Sequence, residues 1–181
     1  LDVAVPFLEG PPLEPGQHDA FFHPTIAAET ATLFEHMARG LDQCIALTGE
    51  HGLPLMGTGD WNDGMDRVGA EGRGESVWLA WFACVTAELL ADLEHRMGRD
   101  READHWTQQA GMLRSNAEES GWDGAWYRRA YDDAGHPLGS AKEAECRIDS
   151  ISQSWSVLAG ADPARVQRAL EAAMNSKDPD K

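Results

Sequence analysis

The amino-acid sequence predicts an all-α fold, a segment of a two-layer helical barrel built from antiparallel helix pairs, with one small β-hairpin. Residues 75–97 open with Val77, Trp78, Leu79, Ala80, Trp81, Phe82, Ala83, Cys84 and Val85, apolar on every face of a helix, which must therefore be buried all round. After the connector Gly98-Arg99-Asp100, the residues Ala103, Trp106, Ala110, Leu113 and Ala117 fall on one helical stripe among polar neighbours. That helix packs antiparallel to its predecessor and keeps one wet face. A buried helix followed by an amphipathic one is the inner-and-outer unit of such a barrel.

The remaining elements follow from local signals. Residues 1–24 hold Pro6, Pro11, Pro12, Pro15 and Pro24, which rule out a long helix and predict an extended lead-in. Ile26, Thr30, Leu33, Phe34, Met37, Leu41, Cys44 and Ile45 then recur at three- and four-residue steps, predicting an amphipathic helix over 26–45 that stops at Gly49 and Gly52. Residues 50–74 carry seven glycines and no periodicity, and a loop of that length in a compact domain is functional or disordered. Aromatic residues around Asp132-Asp133-Ala134-Gly135 predict the hairpin over 126–138. Ser150 is placed to cap a helix bearing Ile151, Trp155, Val157 and Leu158, and Asp162-Pro163 pairs an N-cap with proline at the first helical position of a helix reaching Met174. The helical segment thus spans 25–174, and 175–181 is a frayed tail.

A length of 181 residues fits one domain or a fragment of one. The start at Leu1, with no initiator Met and no signal pattern, reads as internal to a longer chain or left by cleavage. The longest apolar run, 77–85, falls short of the ~20 residues that cross a bilayer, so no direct membrane contact by this segment is expected. Fifteen Lys and Arg against 31 Asp and Glu give a formal charge of −16, which repels phosphate backbones and excludes nucleic acid as a partner. Cys44, Cys84 and Cys146 lie far apart with no metal spacing and read as reduced thiols. The seven histidines show no metal-binding spacing, so no metal is expected, and His51 beside the glycine-rich loop is in a position to touch a ligand.

Chemistry concentrates in Thr58-Gly59-Asp60-Trp61-Asn62-Asp63-Gly64-Met65-Asp66. Glycosyl transfer needs a carboxylic acid that protonates the departing oxygen, with its pKa raised by apolar surroundings and neighbouring negative charge. Asp60, Asp63 and Asp66 supply the carboxylates, Trp61 a flat face for a sugar ring, and Asn62 a donor and acceptor for hydroxyls. Asp, Asn and Gly are equally the residues of ordinary turns, and Trp61 equally a plug to the core. A calcium loop fails, because Gly64 and Met65 stand where an oxygen ligand and a glycine are needed.

The run Gly57-Thr58-Gly59-Asp60-Trp61-Asn62-Asp63-Gly64-Met65 followed by Gly72-Arg73-Gly74-Glu75-Ser76-Val77-Trp78-Leu79 strongly resembles glycoside hydrolase family 94. Further matches are Val5-Pro6-Phe7-Leu8-Glu9-Gly10-Pro11-Pro12-Leu13, His18-Asp19-Ala20-Phe21-Phe22, Trp122-Asp123-Gly124-Ala125-Trp126-Tyr127-Arg128-Arg129-Ala130-Tyr131 and Arg147-Ile148-Asp149-Ser150-Ile151-Ser152-Gln153-Ser154-Trp155. Within the family, the chain looks most like the C-terminal, phosphorylase-like region of the cyclic β-1,2-glucan synthases. The resemblance implies the central part of an (α/α)6 barrel, with 1–181 a partial catalytic domain. It maps the family's general acid onto Asp63, and implies Trp61, Asp60, Asn62, Glu75 and Gln153 as substrate-binding residues. It implies inorganic phosphate as co-substrate, with no cofactor, and a β-linked glucan or oligosaccharide as substrate. Part of the sugar subsite would come from upstream of Leu1 and the phosphate pocket from beyond Lys181, so the rest of the parent barrel is a partner and the isolated chain is expected to be inactive. It further implies a place on the cytoplasmic side of a bacterial inner-membrane-associated parent enzyme.

Overall fold

The computed structural model describes residues 2–15, 17 and 20–176, and the chain divides into two compact units, Leu1–Asp42 and Gln43–Lys181. His18, Asp19 and the tail residues 177–181 lie outside the described residues. The described chain is mostly helical, with five helices and two small antiparallel sheets.

In the first unit, β1 (Ala4–Glu9) pairs antiparallel with β2 (Thr25–Thr32), running from Ala4 opposite Thr32 to Glu9 opposite Thr25 with an irregularity between Pro6 and Leu8. The helix expected from Ile26 is therefore a strand up to Thr32. Thr25, Ile26, Thr30 and Thr32 are β-branched and favour the pleated backbone, while Ala27 and Ala31, an even number of residues apart, are buried on one face. The helix α1 (Leu33–Ala46) begins where Thr32 Oγ1 accepts the Glu35 N–H at 3.1 Å, the first half of a Thr-x-x-Glu capping box. Phe34 and Leu41 are its buried residues.

The second unit is organised around α2 (Val77–Arg96) and α3 (Asp100–Gly121), which pack against each other. Ser76 caps α2 by accepting the Leu79 N–H at 3.0 Å. Val77, Trp78, Ala80, Trp81, Cys84, Ala87 and Leu90 are buried, as an inner helix requires. The expectation of burial all round fails on one stripe, where Phe82 is 40% and Leu89 61% exposed. On α3 the buried positions are Ala103, Trp106, Ala110, Leu113 and Ala117, the stripe its periodicity predicts, joined by Gly121.

The predicted hairpin is present as β4 (Ala130–Tyr131) and β5 (Pro137–Leu138), and a third strand, β3 (Glu75–Ser76), joins it in the order β3-β4-β5. The sheet thus ties the residues that start α2 to the hairpin. The helix α4 (Ser150–Leu158) is capped by Asp149, whose Oδ1 accepts the Ile151 N–H at 2.8 Å, with Ser150 one position inside. Its buried residues are Ser152, Gln153 and Ser156, Ile151 and Trp155 are half-buried, and Val157 and Leu158 are exposed. Asp162 caps α5 (Pro163–Asn175) as predicted, accepting the Arg165 N–H at 2.9 Å.

Candidate active site

Residues 47–74 form a glycine-rich excursion whose two limbs are closed by backbone pairing, Met56 N–H to Gly74 O at 2.8 Å and Ser76 N–H to Pro54 O at 2.9 Å. The limbs approach as closely as backbone allows. A Cβ on Gly74 would lie 2.5 Å from Val68 O and 2.6 Å from Gly69 Cα, and one on Gly69 would lie 3.0 Å from Gly57 N and O. Glycine at 74 is thus required by close approach, and a side chain at 69 would press on the Gly57 backbone. The returning limb is stapled to the hairpin turn by Asp133, whose Oδ2 accepts Glu71 N–H and whose Oδ1 accepts Arg73 and Gly74 N–H, all at 2.8–2.9 Å. Burial opposes ionisation of Asp133, but these three hydrogen bonds outweigh it and hold its carboxyl below the usual carboxylate range.

At the tip, Asn62 N–H donates to Asp60 Oδ1 at 3.1 Å, and Asn62 Oδ1 accepts Gly64 N–H at 3.0 Å to start a single 3-10 turn, Asp63–Met65. Asp63 and Asp66 are exposed. Trp61 is 61% exposed and presents its ring 6.4 Å, edge-on, from buried Trp78 at the start of α2. The turn therefore offers an acid and a flat aromatic surface side by side in the chain.

Asp60 has a different environment. Its side chain is fully buried and takes two atoms of the Arg129 guanidinium, Nη2 to Oδ1 and Nη1 to Oδ2, each at 2.7 Å. Ser76 Oγ donates to Oδ2 at 2.8 Å. Burial pushes the Asp60 carboxyl up, and the hydrogen bonds from Arg129, Asn62 N–H and Ser76 outweigh it, leaving the group below its ordinary value. Its charge is matched by the Arg129 guanidinium.

A family profile described as the glycosyl hydrolase 94 superfamily, catalytic domain, matches residues 5–178. The chain belongs to that family. It is 50% identical to cyclic beta-(1,2)-glucan synthase NdvB of Rhizobium meliloti (strain 1021) across 100% of this chain and 6% of that protein. Solabiose phosphorylase of Paenibacillus borealis is 36% identical over 86% of this chain, and the 3-O-beta-D-glucopyranosyl-beta-D-glucuronide phosphorylase of the same organism is 33% identical over 84%. The chain spans 20% of each phosphorylase.

Within this glycosyl hydrolase 94 segment, the residues singled out in the sequence separate into two groups. Asp63, Trp61 and Asn62 stand at the exposed tip. Asp60, Glu75 and Gln153 are held by internal partners. Glu75 is 2% exposed and accepts the backbone N–H groups of His51 and Leu53 at 3.0 and 3.1 Å and meets the His51 imidazole. Gln153 is buried, its Oε1 accepting Tyr127 N–H at 2.8 Å and its Nε2 donating to the Tyr127 and Asp149 carbonyls. Arg129 and Asp133 organise the loop, a role that neither the family-like run around Arg129 nor the hairpin turn around Asp133 announces, because their partners lie about sixty to seventy residues away. Among the described residues no group of three His, Cys, Asp or Glu side chains is gathered as a metal site demands.

Proposed function

We propose that this chain is part of the catalytic domain of a glycosyl-transferring enzyme acting on β-glucans, of the cyclic β-1,2-glucan synthase or inverting β-glucoside phosphorylase type, with Asp63 as general acid. The observation that carries the reading is the exposed pair Asp63 and Trp61 on a turn whose base is anchored by the buried Asp60. Asp63 protonates the glycosidic oxygen as the bond to the anomeric carbon breaks. Inorganic phosphate attacks that carbon from the opposite face, giving α-glucose 1-phosphate with inversion. Trp61 stacks on a sugar ring and Asn62 shapes the turn that aims Asp63. The names of the phosphorylase relatives support phosphate as co-substrate, and that of the glucan synthase supports a β-1,2-linked glucan.

The helix pairs α2–α3 and α4–α5 belong, in this reading, to an (α/α)6 barrel completed by other parts of a larger, inner-membrane-associated enzyme facing the cytoplasm. In the same reading the barrel segment spans 25–174, with Thr25–Thr32 entering it as a strand and its helices beginning at Leu33. An inverting hydrolase needs a second carboxylate some ~6.5–9.5 Å from the acid to activate water. Glu75 is buried against the 49–53 backbone, and Asp149 caps α4 while facing Arg129 Nε at 3.3 Å. Both are committed elsewhere, which favours phosphate over water as nucleophile. A carbohydrate-binding module without chemistry needs no proton donor at this turn, which favours the catalytic reading.

In the complete enzyme, Asp63→Asn is expected to lower phosphorolysis of β-glucosides by about 10²–10⁴-fold. An aryl glucoside with a good leaving group should recover part of the rate, since its departure needs no proton. Near-normal phosphorolysis by Asp63→Asn would overturn the assignment.

A further inference from the structure

We infer that Arg129 is the positioning residue of the catalytic turn, a single buried guanidinium that sets the orientation of both Asp63 and Trp61 without touching substrate. The inference rests on the assignment of Asp63 given above. Its geometry is independent of that assignment. Arg129 is 3% exposed and its backbone is fixed in the small sheet: its N–H donates to Leu138 O at 2.8 Å and its carbonyl accepts Val77 N–H at 3.2 Å. From this base the side chain reaches four things. Nη1 and Nη2 grip the two Asp60 oxygens, and Nη1 also donates to Ser76 Oγ at 3.2 Å. Nε faces Asp149 Oδ2 at 3.3 Å, and the guanidinium carbon stands 5.9 Å from the centre of the Trp78 ring.

Each of those partners controls something else. Asp60 holds the Asn62 N–H, and Asn62 starts the turn that contains Asp63. Ser76 caps α2, Asp149 caps α4, and Trp78 is the ring against which Trp61 stands. The path from Arg129 to Asp63 is therefore Arg129, Asp60, Asn62, Asp63, and the path to Trp61 runs through Trp78. A planar fork that meets two carboxylate oxygens at once fixes angle as well as distance, which a lysine ammonium does not. Misplacing an acid by about 1 Å costs on the order of a hundredfold in rate, so the fork governs kcat more than ground-state binding.

The test is Arg129→Lys in the complete enzyme, read by hydrogen exchange and steady-state kinetics. Amide exchange across 57–68 should accelerate at least roughly tenfold while α3 keeps its protection, and kcat should fall roughly tenfold or more with KM within about threefold. Asp60→Asn should reproduce both effects, and the two substitutions combined should cost little more than either alone, since they cut the same link. Should Arg129→Lys give no folded enzyme, Asp60→Asn decides by the same readouts. Unchanged exchange in 57–68, loss of protection spreading equally over α3, or a change confined to KM would each overturn the proposal. The exchange result stands whether or not Asp63 proves to be the acid, so failure of the one reading is separable from failure of the other.

Discussion

Glu75 Oε2 lies 2.5 Å from His51 Nδ1, and the imidazole is stacked on the Tyr131 ring at 3.9 Å between centroids and 11° between planes. The strand partner of Glu75 is the same Tyr131, so sheet pairing and side-chain stacking close on each other. Successive strand residues face opposite sides: Glu75 serves the 49–53 turn, and Ser76 the Asp60 network. Glu75→Ala leaves the buried Leu53 N–H without its acceptor, and hydrogen bonds to a charged group are worth about 1.5–3 kcal/mol each. A loss of roughly 3 kcal/mol in urea denaturation is expected, with Glu75→Gln losing less because the amide oxygen still accepts one N–H.

Asp63 and Trp61 should be nearly silent in stability. Both stand at the exposed tip, and exposed substitutions away from caps and cores usually stay within about 0.5 kcal/mol. Asp63→Asn and Trp61→Ala are therefore expected to unfold at the wild-type midpoint. In the complete enzyme Trp61→Ala should raise KM by roughly tenfold, the worth of about 1.4 kcal/mol of lost stacking surface. A large fall in either midpoint would place these side chains in the fold instead of the site.

Acid should weaken the chain through its depressed carboxylates. Asp60, Asp132 and Asp133 all titrate below their ordinary value in the folded state, in each case because hydrogen bonds outweigh the opposing effect of burial. A depressed carboxylate contributes stability that is complete above the unfolded pKa of about 3.9 and is lost as pH falls through that value and on through the lower folded one. Stability measured from about pH 6 downward should be flat to near pH 5 and then decline, and Asp60→Asn should show a shallower decline. An equal slope in the variant would remove Asp60 from the account.

The three thiols should separate by accessibility. Cys84 is buried on α2, where burial pushes its pKa up to about 11, with Glu88 adding to the shift and Arg114 opposing it. Cys44 is half-buried and raised by the same cause, while Cys146 is exposed. Because the thiolate is the nucleophile, an alkylating reagent near pH 8 is expected to label Cys146 first, Cys44 slowly and Cys84 only after unfolding. Rapid labelling of Cys84 in the native chain would show that the α2–α3 interface opens.

Periodicity and caps made α2, α3 and α5 legible in the sequence, because their signals are local. The stripe on α3 and the Asp162-Pro163 start are complete within one helix. At Thr25–Thr32 two periods compete, and the strand prevails through its pairing with Ala4–Glu9. The Thr32-x-x-Glu35 box marks the true start of α1 and outranks the apolar count that begins at Ile26. On α4 the buried face is polar because Gln153 supplies both halves of a bond to the Tyr127 backbone, a role no apolar pattern encodes. In the site, Asp63 and Trp61 are conspicuous by composition, whereas Asp60 and Arg129 are joined across 69 positions, and nothing in either neighbourhood names the other.

The crossing of backbone at Gly69 and Gly74 divides the chain's glycines by how freely they can drift among related sequences. Any side chain at 74 meets the Val68 carbonyl and the Gly69 backbone, neither of which can rotate aside, so substitution there should be rejected even where chemistry is indifferent. Gly111, within α3, has nothing within 4 Å of an added methyl, and alanine there should be accepted with a gain of up to about 1 kcal/mol in helix stability. In a library randomised at these codons and selected for folding, 74 should return glycine almost alone, 69 chiefly small residues, and 111 a spread. The lineage would carry this backbone crossing as a near-constant signature while helix glycines came and went around it.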